Sequence, residues 1–490
     1  MNIFFRTDSS ISIGTGHVMR CVTLADELTR RGSTVSFMCR EGEGSLINLI
    51  EEKGYKVHRL LHDASLEEDR QVAQKILLAE RNKPDWLITD NYNIDISWET
   101  SLREYAKKIM VIDDLADKKH DCDILLNQNI NATERDYEAL VPDNCTKFIG
   151  PKYALLRNQF SSKRKTLRRR NGEIKKILVF LGGADPDNVT CTVLRALELL
   201  NMPEIEKEIV IGESNPNRDS VKEFVSQLPN ANLHINVENM DQFMSDADLS
   251  IGSCGTATWE RCCLGLPSIV IGLAENQLKI ANKMQEDGAI IYTGWFEDVT
   301  AKDILEDISF LLRHKEIVRS ISLKSLDCVD GKGTVRVTDN LLNIFSSIRL
   351  RDATPDDCWS IYEWRNDSEV RRYFFDSSPV SRDKHKEWFM AAISSSKTAL
   401  LIGENGDKPV GVLRYDFDSE KALASIYMVP EFISRGVGVS VLKKGSGWIK
   451  RYHPEVRRII AETKHGNIAS QKIFERAGFN ESHTTHSLAV

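Results

Sequence analysis

Twice in this chain a short apolar run breaks at a glycine-rich turn and passes into a helical pattern. The first is Ile3-Phe4-Phe5, then Arg6-Thr-Asp-Ser-Ser-Ile-Ser-Ile-Gly-Thr-Gly-His17, then helical spacing to Arg31. The second is Lys175-Lys-Ile-Leu-Val-Phe-Leu181 followed by Gly182-Gly-Ala-Asp-Pro-Asp-Asn188. A strand, a glycine turn and a helix start leave free backbone N–H groups and the positive helix end directed at the loop, which suits an anion. Strand-like and helix-like runs alternate after each: Thr34–Cys39, Asp85–Asp90 and Lys108–Asp113 in the first part, then Glu208–Ile211, Leu233–Ile235, Leu249–Ile251 and Ser268–Ile271. Such alternation predicts an α/β protein with two parallel, doubly wound sheets. Ligands of these sheets gather at the carboxyl ends of the strands. Those ends carry Asp8, Asp90-Asn91-Tyr92 and Asp113-Asp114.

The 490 residues exceed one ordinary core and suit about three domains. With 41% hydrophobic and 28% charged residues the composition is that of a globular protein. A net charge of −7 gives no general attraction for nucleic acid. The ten cysteines are scattered, without Cys-x-x-Cys or zinc spacing, so reduced thiols and no metal site are expected. Met1-Asn-Ile-Phe-Phe-Arg lacks the apolar core of a signal peptide, and no run approaches the ~18 apolar residues of a membrane span. The expected location is the cytoplasm, with no membrane partner. Ser162-Lys-Arg-Lys-Thr-Leu-Arg-Arg-Arg170 reads as a solvated linker between domains. The expected organisation is a domain over 1–158, a linker over 159–173, a second domain over 174–347 and a third over 348–490.

A dinucleotide fingerprint would require a third glycine after Gly14-x-Gly16, where Met19 stands. By itself His17 reads as a capping or packing histidine. In the second domain, Ile251-Gly-Ser-Cys-Gly-Thr-Ala-Thr-Trp-Glu260 opens a helix that could cradle a pyrophosphate, with Ala274-Glu-Asn-Gln277 behind it. Glu260 could accept both hydroxyls of a ribose; alone it reads as an exposed helical charge. Two Rossmann-like domains with glycine loops and a helix of this kind resemble the nucleotide-sugar glycosyltransferases of the B fold. The combination of Phe5-Arg-Thr-Asp-Ser-Ser, Ile13-Gly-Thr-Gly-His-Val-Met-Arg20, Cys122-Asp-Ile-Leu-Leu-Asn127 and Tyr153-Ala-Leu-Leu-Arg157 resembles the pseudaminic acid pathway hydrolases. These remove UDP from UDP-2,4-diacetamido-2,4,6-trideoxy-β-L-altropyranose, and the resemblance runs from Met1 to about Leu342. It departs at Asp90-Asn91-Tyr92, where Asp-His-Tyr is expected. The resemblance implies His17 as the base that activates water, a role suited to a histidine. It places Asp90, Tyr92, Asn127 and Arg157 on the sugar, and Gly182, Gly183, Ser253, Gly255, Glu260, Asn276 and Gln277 on the UDP, with no obligatory metal. A glycosyltransferase and a nucleotide-sugar-binding module are the rival readings.

A different domain begins near Ile348. Ala424-Ser-Ile-Tyr-Met-Val-Pro430 reads as a strand, Ser434-Arg-Gly-Val-Gly-Val439 as a turn, and a helix follows from Ser440. With Ile459–Thr463, Asn467-Ile-Ala-Ser-Gln-Lys-Ile-Phe474 and Gly478-Phe479, these motifs resemble the GNAT acyl-CoA N-acetyltransferases. The resemblance implies acetyl-CoA as co-substrate. It sets Tyr427, Met428 and Val429 beside the thioester and Arg435, Gly436, Val437, Gly438, Val439 and Ser440 on the pyrophosphate, with Asn467 and Ser470 as further CoA contacts. Trp364-Arg-Asn-Asp-x-x-x-Val-Arg371 with Ser381-x-x-x-His385-x-x-Trp388 resembles the GNAT enzyme of the same sugar pathway. Arg365, Asn366 and His385 are therefore acceptor-side candidates. Many GNAT enzymes carry an acidic tyrosine where this chain has Phe474, which cannot donate a proton.

Overall fold

The computed structural model describes residues 1–489 apart from 11–12, 214, 343–347, 434–435, 465–466 and 483–484, with backbone alone at 481–482 and 485–489. The chain divides into two units, Met1–Thr338 and Asp339–Val490. The first unit contains two all-parallel sheets. One is built from β1 (Asn2–Thr7), β2 (Thr34–Arg40), β3 (Lys56–Leu60), β4 (Trp86–Asp90), β5 (Ile109–Ile112), β6 (Ile124–Asn127) and β7 (Thr146–Ile149), in the order β3-β2-β1-β4-β5-β6-β7. The other uses β8 (Lys176–Phe180), β9 (Glu206–Ile211), β10 (Ala231–Ile235), β11 (Leu249–Ser253), β12 (Ser268–Gly272) and β13 (Ile291–Trp295), in the order β10-β9-β8-β11-β12-β13.

Both sheets reverse their strand order beside the first strand, and the helices that follow leave a crevice at the carboxyl ends there. In the first sheet that crevice lies between β1 and β4, in the second between β8 and β11. The central strands are covered on both faces, which is why they read as unbroken apolar runs rather than alternating ones. β4, β5 and β12 are buried at every residue. The edge strand β3 is half exposed, and its Lys56-Val-His-Arg-Leu60 carries too little apolar signal to stand out in the sequence.

The basic stretch departs from the expectation of a solvated linker. Asn158–Arg164 is a helix; its last residue, Arg164, and Arg170 beyond it turn their guanidinium groups inward, while Arg168 and Arg169 are exposed. Arg164 donates to the carbonyls of Cys263 and Leu326 at 2.7 and 3.0 Å, and the buried Arg170 donates to those of Leu264, Met244 and Ala247 at 2.7–3.2 Å. These carbonyls lie at the C-terminal ends of the helices Met240–Asp246, Ala257–Cys263 and Lys315–Cys328. A helix end presents unsatisfied carbonyls and partial negative charge, so cations are drawn there.

The helix Gly333–Leu341 begins against the first sheet's side of the unit. Thr334 donates to the Leu156 carbonyl at 2.7 Å and Arg336 to that of Lys152. A Cβ at Gly333 would run into the Ala154 carbonyl oxygen and the Tyr153 backbone. Gly333→Ala is therefore expected to destabilise the first unit by about 3 kcal/mol. Urea denaturation followed by hydrogen exchange in residues 150–158 checks this.

The second unit holds a mixed sheet of β14 (Ile348–Asp352), β15 (Thr398–Asn405), β16 (Lys408–Asp418), β17 (Lys421–Met428), β18 (Arg458–Glu462), β19 (Asn480–Ser482) and β20 (Thr485–Ala489). Its order is β14-β15-β16-β17-β18-β20-β19, antiparallel except where β17 meets β18. That parallel pairing runs only from Lys421 to Ala424. From Ser425 onward β17 has no strand partner on that side among the described residues, and the sheet is split there.

Candidate active sites

The β1–β4 crevice is built by one helix face. Gly14 takes a positive φ of 79° and its N–H returns to the Ser10 carbonyl at 2.8 Å, which turns the chain into the helix Gly16–Arg30. His17, Arg20 and Cys21 follow at i, i+3 and i+4, so all three point the same way. All three meet Asp90, the last residue of β4. His17 Nδ1 lies 2.6 Å from Oδ1, Arg20 donates Nη2 to Oδ1 and Nε to Oδ2 at 2.6 Å each, and Cys21 Sγ donates to Oδ2 at 3.4 Å. Asp90 is 0% exposed. Burial alone would raise its carboxyl, but Arg20 and His17 overcome this and hold it well below the usual carboxylate range. An ionised carboxylate can only accept, so Nδ1 carries the imidazole proton and the lone pair lies on Nε2. Nε2 has no partner among the described residues and is open to solvent. An oriented imidazole with a free, accessible nitrogen is an arrangement for taking a proton.

Tyr92 closes one side of the ring, edge-on to His17 with centroids 4.6 Å apart. Its hydroxyl donates to Asp114 at 3.1 Å and accepts from Asn276 of the second sheet at 3.0 Å. Burial first, then the Asp114 charge, push the Tyr92 phenol far above its ordinary value, so it stays protonated. Asn91 donates to Asp8 at 2.7 Å and accepts the Asn93 N–H at 2.8 Å, the work of a turn residue.

Three of the four residues expected on the sugar have other partners. Asp90 is enclosed and serves His17. Asn127 is buried at 2%, donating to the Tyr137 hydroxyl at 2.8 Å and accepting the Asn129 N–H at 2.9 Å. Arg157 pairs with Glu260 at 3.0 Å. Glu260 is pushed up by burial, with Arg157 opposing, and its side chain is 15% exposed.

The second sheet's loops meet the first across a narrow gap. A Cβ on Gly16 would lie 3.0 Å from Thr256 Oγ1, and one on Gly183 would lie 3.7 Å from Thr15 Oγ1. Gly182 has a φ of 109°, and the Gly183 carbonyl accepts the Gly212 N–H at 3.1 Å so closely that no Cβ fits at Gly212. Gln277 accepts the N–H groups of Cys254 and Leu273 at 3.3 and 3.2 Å, tying together the loops after β11 and β12. Ser253 is buried at the end of β11, its carbonyl held by Arg261 at 2.6 Å. Gly255 stands open beside Gln277 and Ser253. His17 and Tyr92 of the first sheet's side thus meet Asn276 of the second, and the loop before His17 passes close to Gly183 and Thr256.

In the second unit the split edge of β17 is the chemical feature. The Val429 N–H is bonded to the Val410 carbonyl at 3.0 Å, and Tyr427 faces β16 by the same two-residue alternation. Of the three residues expected beside the thioester, only Met428 turns its N–H toward the open edge. Gly436 takes a φ of 83° and starts the helix Val437–Tyr452, with Val437, Gly438, Val439 and Ser440 in its first turn. Arg435 lies outside the described residues. Asn467 caps the helix Ile468–Arg476 by accepting the Ser470 N–H at 3.1 Å. Phe474 is buried against Phe479, in the core.

Two of the acceptor-side candidates are held by protein partners. His385 is 2% exposed, its Nε2 2.9 Å from the Cys358 carbonyl and its ring among Tyr362, Trp388 and Phe389. Asn366 exchanges two hydrogen bonds with the Val380 backbone at 3.0 and 2.8 Å, anchoring that loop. Arg365 lies with its guanidinium 3.7 Å over the Phe374 ring, and Phe374 in turn meets Tyr427.

Residues 347–480 match the family described as the acetyltransferase (GNAT) domain. A UDP-2,4-diacetamido-2,4,6-trideoxy-β-L-altropyranose hydrolase of Campylobacter jejuni is 33% identical over 289 residues, 59% of this chain and 97% of that protein. The chain belongs to this hydrolase family. It carries in addition a C-terminal GNAT region, and a relative with similar reach exists: an uncharacterized protein of Methanocaldococcus jannaschii is 25% identical over 98% of this chain and 97% of its own length. The crystal structure of MurG from Acinetobacter baumannii superposes with a TM-score of 0.51 at 14% identity, over 70% of this chain and 99% of that one. This shows a shared fold for the first unit.

In this family member, sequence reasoning assigned no role to Arg20 and Cys21. The helical spacing His17-x-x-Arg20-Cys21 was the available signal. Asp114, noted only as a strand-end carboxylate, joins the cluster through its ion pair with Arg20 at 2.9 Å and its contact with Asn129 at 3.1 Å. Among the described residues no three His, Cys, Asp or Glu side chains are grouped to hold a metal ion. No helix there is long and apolar enough to cross a membrane.

Proposed function

We propose that the first unit hydrolyses UDP-2,4-diacetamido-2,4,6-trideoxy-β-L-altropyranose to the free sugar and UDP, and that the second N-acetylates its UDP-4-amino precursor from acetyl-CoA. The observation that carries the hydrolase reading is His17, with Nδ1 fixed on buried Asp90 and Nε2 without a partner among the described residues. In this reading Nε2 removes a proton from water, the water oxygen bonds the anomeric carbon, and UDP leaves with the electrons of the C–O bond. Backbone N–H groups of the second sheet's loops, beginning with Gly183 and Gly255, receive the charge on the departing diphosphate. In the second unit a neutral amine attacks the thioester while the Met428 N–H receives the developing oxyanion. Tyr427, whose phenol burial pushes far up, stays protonated and is the candidate donor to the departing thiolate.

The family relationship supports this reading, as does the name of the C. jejuni relative. The fold shared with MurG favours one other reading, a transferase with a sugar acceptor. Mass spectrometry of products from the UDP-4-amino sugar, with and without acetyl-CoA, tests both activities. Release of CoA and then UDP with water as the only acceptor is the expected result. UDP release only on adding a hydroxylated acceptor would favour the transferase. His17→Ala is expected to lower UDP release by about 10³-fold, within the range for loss of a general base. A His17→Ala protein with full hydrolysis would sink the base assignment.

A further inference from the structure

The Arg20 guanidinium lies between two carboxylates. It makes its bidentate contact with Asp90, and its Nη1 reaches Asp114 Oδ1 at 3.0 Å and Oδ2 at 2.9 Å. Nη2 also stands 3.2 Å from His17 Nδ1. Among the described residues the charged groups facing His17 are thus Asp90, Arg20 and, one step further, Asp114. The groups next to these are uncharged at neutral pH: Tyr92 after β4, edge-on to the ring, Cys21, which donates to Asp90, and Asn276 from the second sheet, which donates to the Tyr92 hydroxyl. With His17 neutral the cluster holds one positive and two negative charges. Arg20 is 4% and Asp90 0% exposed, so these charges act on the ring with little screening.

We propose that Arg20 and Asp114 are positioning residues that set the proton affinity of His17 in opposite directions. Without Arg20, two unopposed carboxylates would hold a proton on the imidazole and remove the lone pair needed for water. Without Asp114, Arg20 opposes Asp90 alone, and the imidazole becomes the weaker base. The paired charges keep His17 able both to take a proton and to release it to solvent in each cycle. The proposal rests on the reading of His17 as base, but its test does not depend on turnover.

Diethyl pyrocarbonate reacts with the unprotonated imidazole. Its rate of addition to His17, followed peptide by peptide by mass spectrometry from about pH 5 to pH 9, reports the protonation midpoint in the full chain. Against the unmodified sequence, Arg20→Met is expected to move that midpoint up by about one pH unit or more, and Asp114→Asn to move it down. Arg20→Lys, which keeps the charge, is expected to leave it in place. Midpoints that stay put, or move in the same direction in both charge-removing variants, would overturn the proposal. If Arg20→Met does not fold, Arg20→Gln replaces it; the near-isosteric Asp114→Asn alone also decides, because an unmoved midpoint there rejects the pairing. Parallel hydrolysis assays separate the two readings. Opposite shifts without UDP release by the unmodified chain would leave the charge pairing standing and remove the hydrolase reading. UDP release with unmoved midpoints would do the reverse.

Discussion

Asp90→Asn is expected to lower UDP release from the diacetamido sugar by about 10³- to 10⁴-fold while changing KM little, as when an enclosed carboxylate that orients a catalytic imidazole is neutralised. Asp90 accepts from Arg20 on both oxygens and from His17 on one. An asparagine has one accepting oxygen and one donating nitrogen in the same place. With the nitrogen toward Arg20, two donors face each other. With it toward His17, Nδ1 becomes the acceptor and the imidazole proton moves to Nε2, where water must be activated. The first arrangement breaks the Arg20 contact that fixes the group, and the second removes the base. Steady-state kinetics with the UDP-sugar check the result: a loss expressed only as a rise in KM would indicate that Asp90 acts on substrate binding, as first expected from the sequence.

The second large effect concerns stability. Arg6, 0% exposed, donates to Asp69 through Nη2 at 2.5 Å and through Nε at 3.2 Å, and it also binds Asp8. Asp69 accepts in addition from Arg40 at 3.0 Å and from the Trp98 indole at 3.1 Å. Removing one partner of such a buried pair leaves an uncompensated charge and costs about 3–5 kcal/mol. Asp69→Ala is expected to show that loss, and Asp69→Asn a smaller one, in urea unfolding read by hydrogen exchange across the helix Leu66–Leu78. The pH dependence has a definite sign. Burial would raise the Asp69 carboxyl, but Arg6 and Arg40 prevail and hold it below its ordinary value. A depressed folded-state value means that the contribution is fully present above the unfolded value of about 4 and is lost as pH falls through the folded one. Asp69→Ala should therefore flatten the acid limb of the stability profile. An unchanged acid limb would show that the network's charges are matched in the unfolded chain.

Much of the architecture was legible because its causes are local. Short apolar runs such as Ile3-Phe4-Phe5 and Ile177-Leu-Val-Phe-Leu181, followed by the glycine turns at Gly14-Thr-Gly16 and Gly182-Gly183, read as strand, turn and helix, and the two parallel sheets followed from the alternation of such runs. The same holds for the strand ending at Met428 and the Gly436 turn of the second unit, whereas the parting of that strand from its neighbour had no local sign. Side-chain roles were less legible, because a polar residue's partner is set by what packs opposite it. Asn127 and His385 carry groups suited to a ligand, yet each ends up buried with a protein partner nearby in sequence or on the adjoining helix. Arg164 and Arg170 read as solvated charges until three helix ends converge on them.

Sequence by itself determined where the glycine turns lead from strand into helix and that His17 stands at the start of the first such helix. Both are properties of a few consecutive residues. Only the tertiary structure decided what His17 can do. The β1–β4 pairing brings Asp90 across 73 residues to Nδ1, and the β4–β5 pairing with its following turn adds Asp114 behind Arg20. The burial these contacts create makes one carboxylate and one guanidinium strong enough to orient an imidazole.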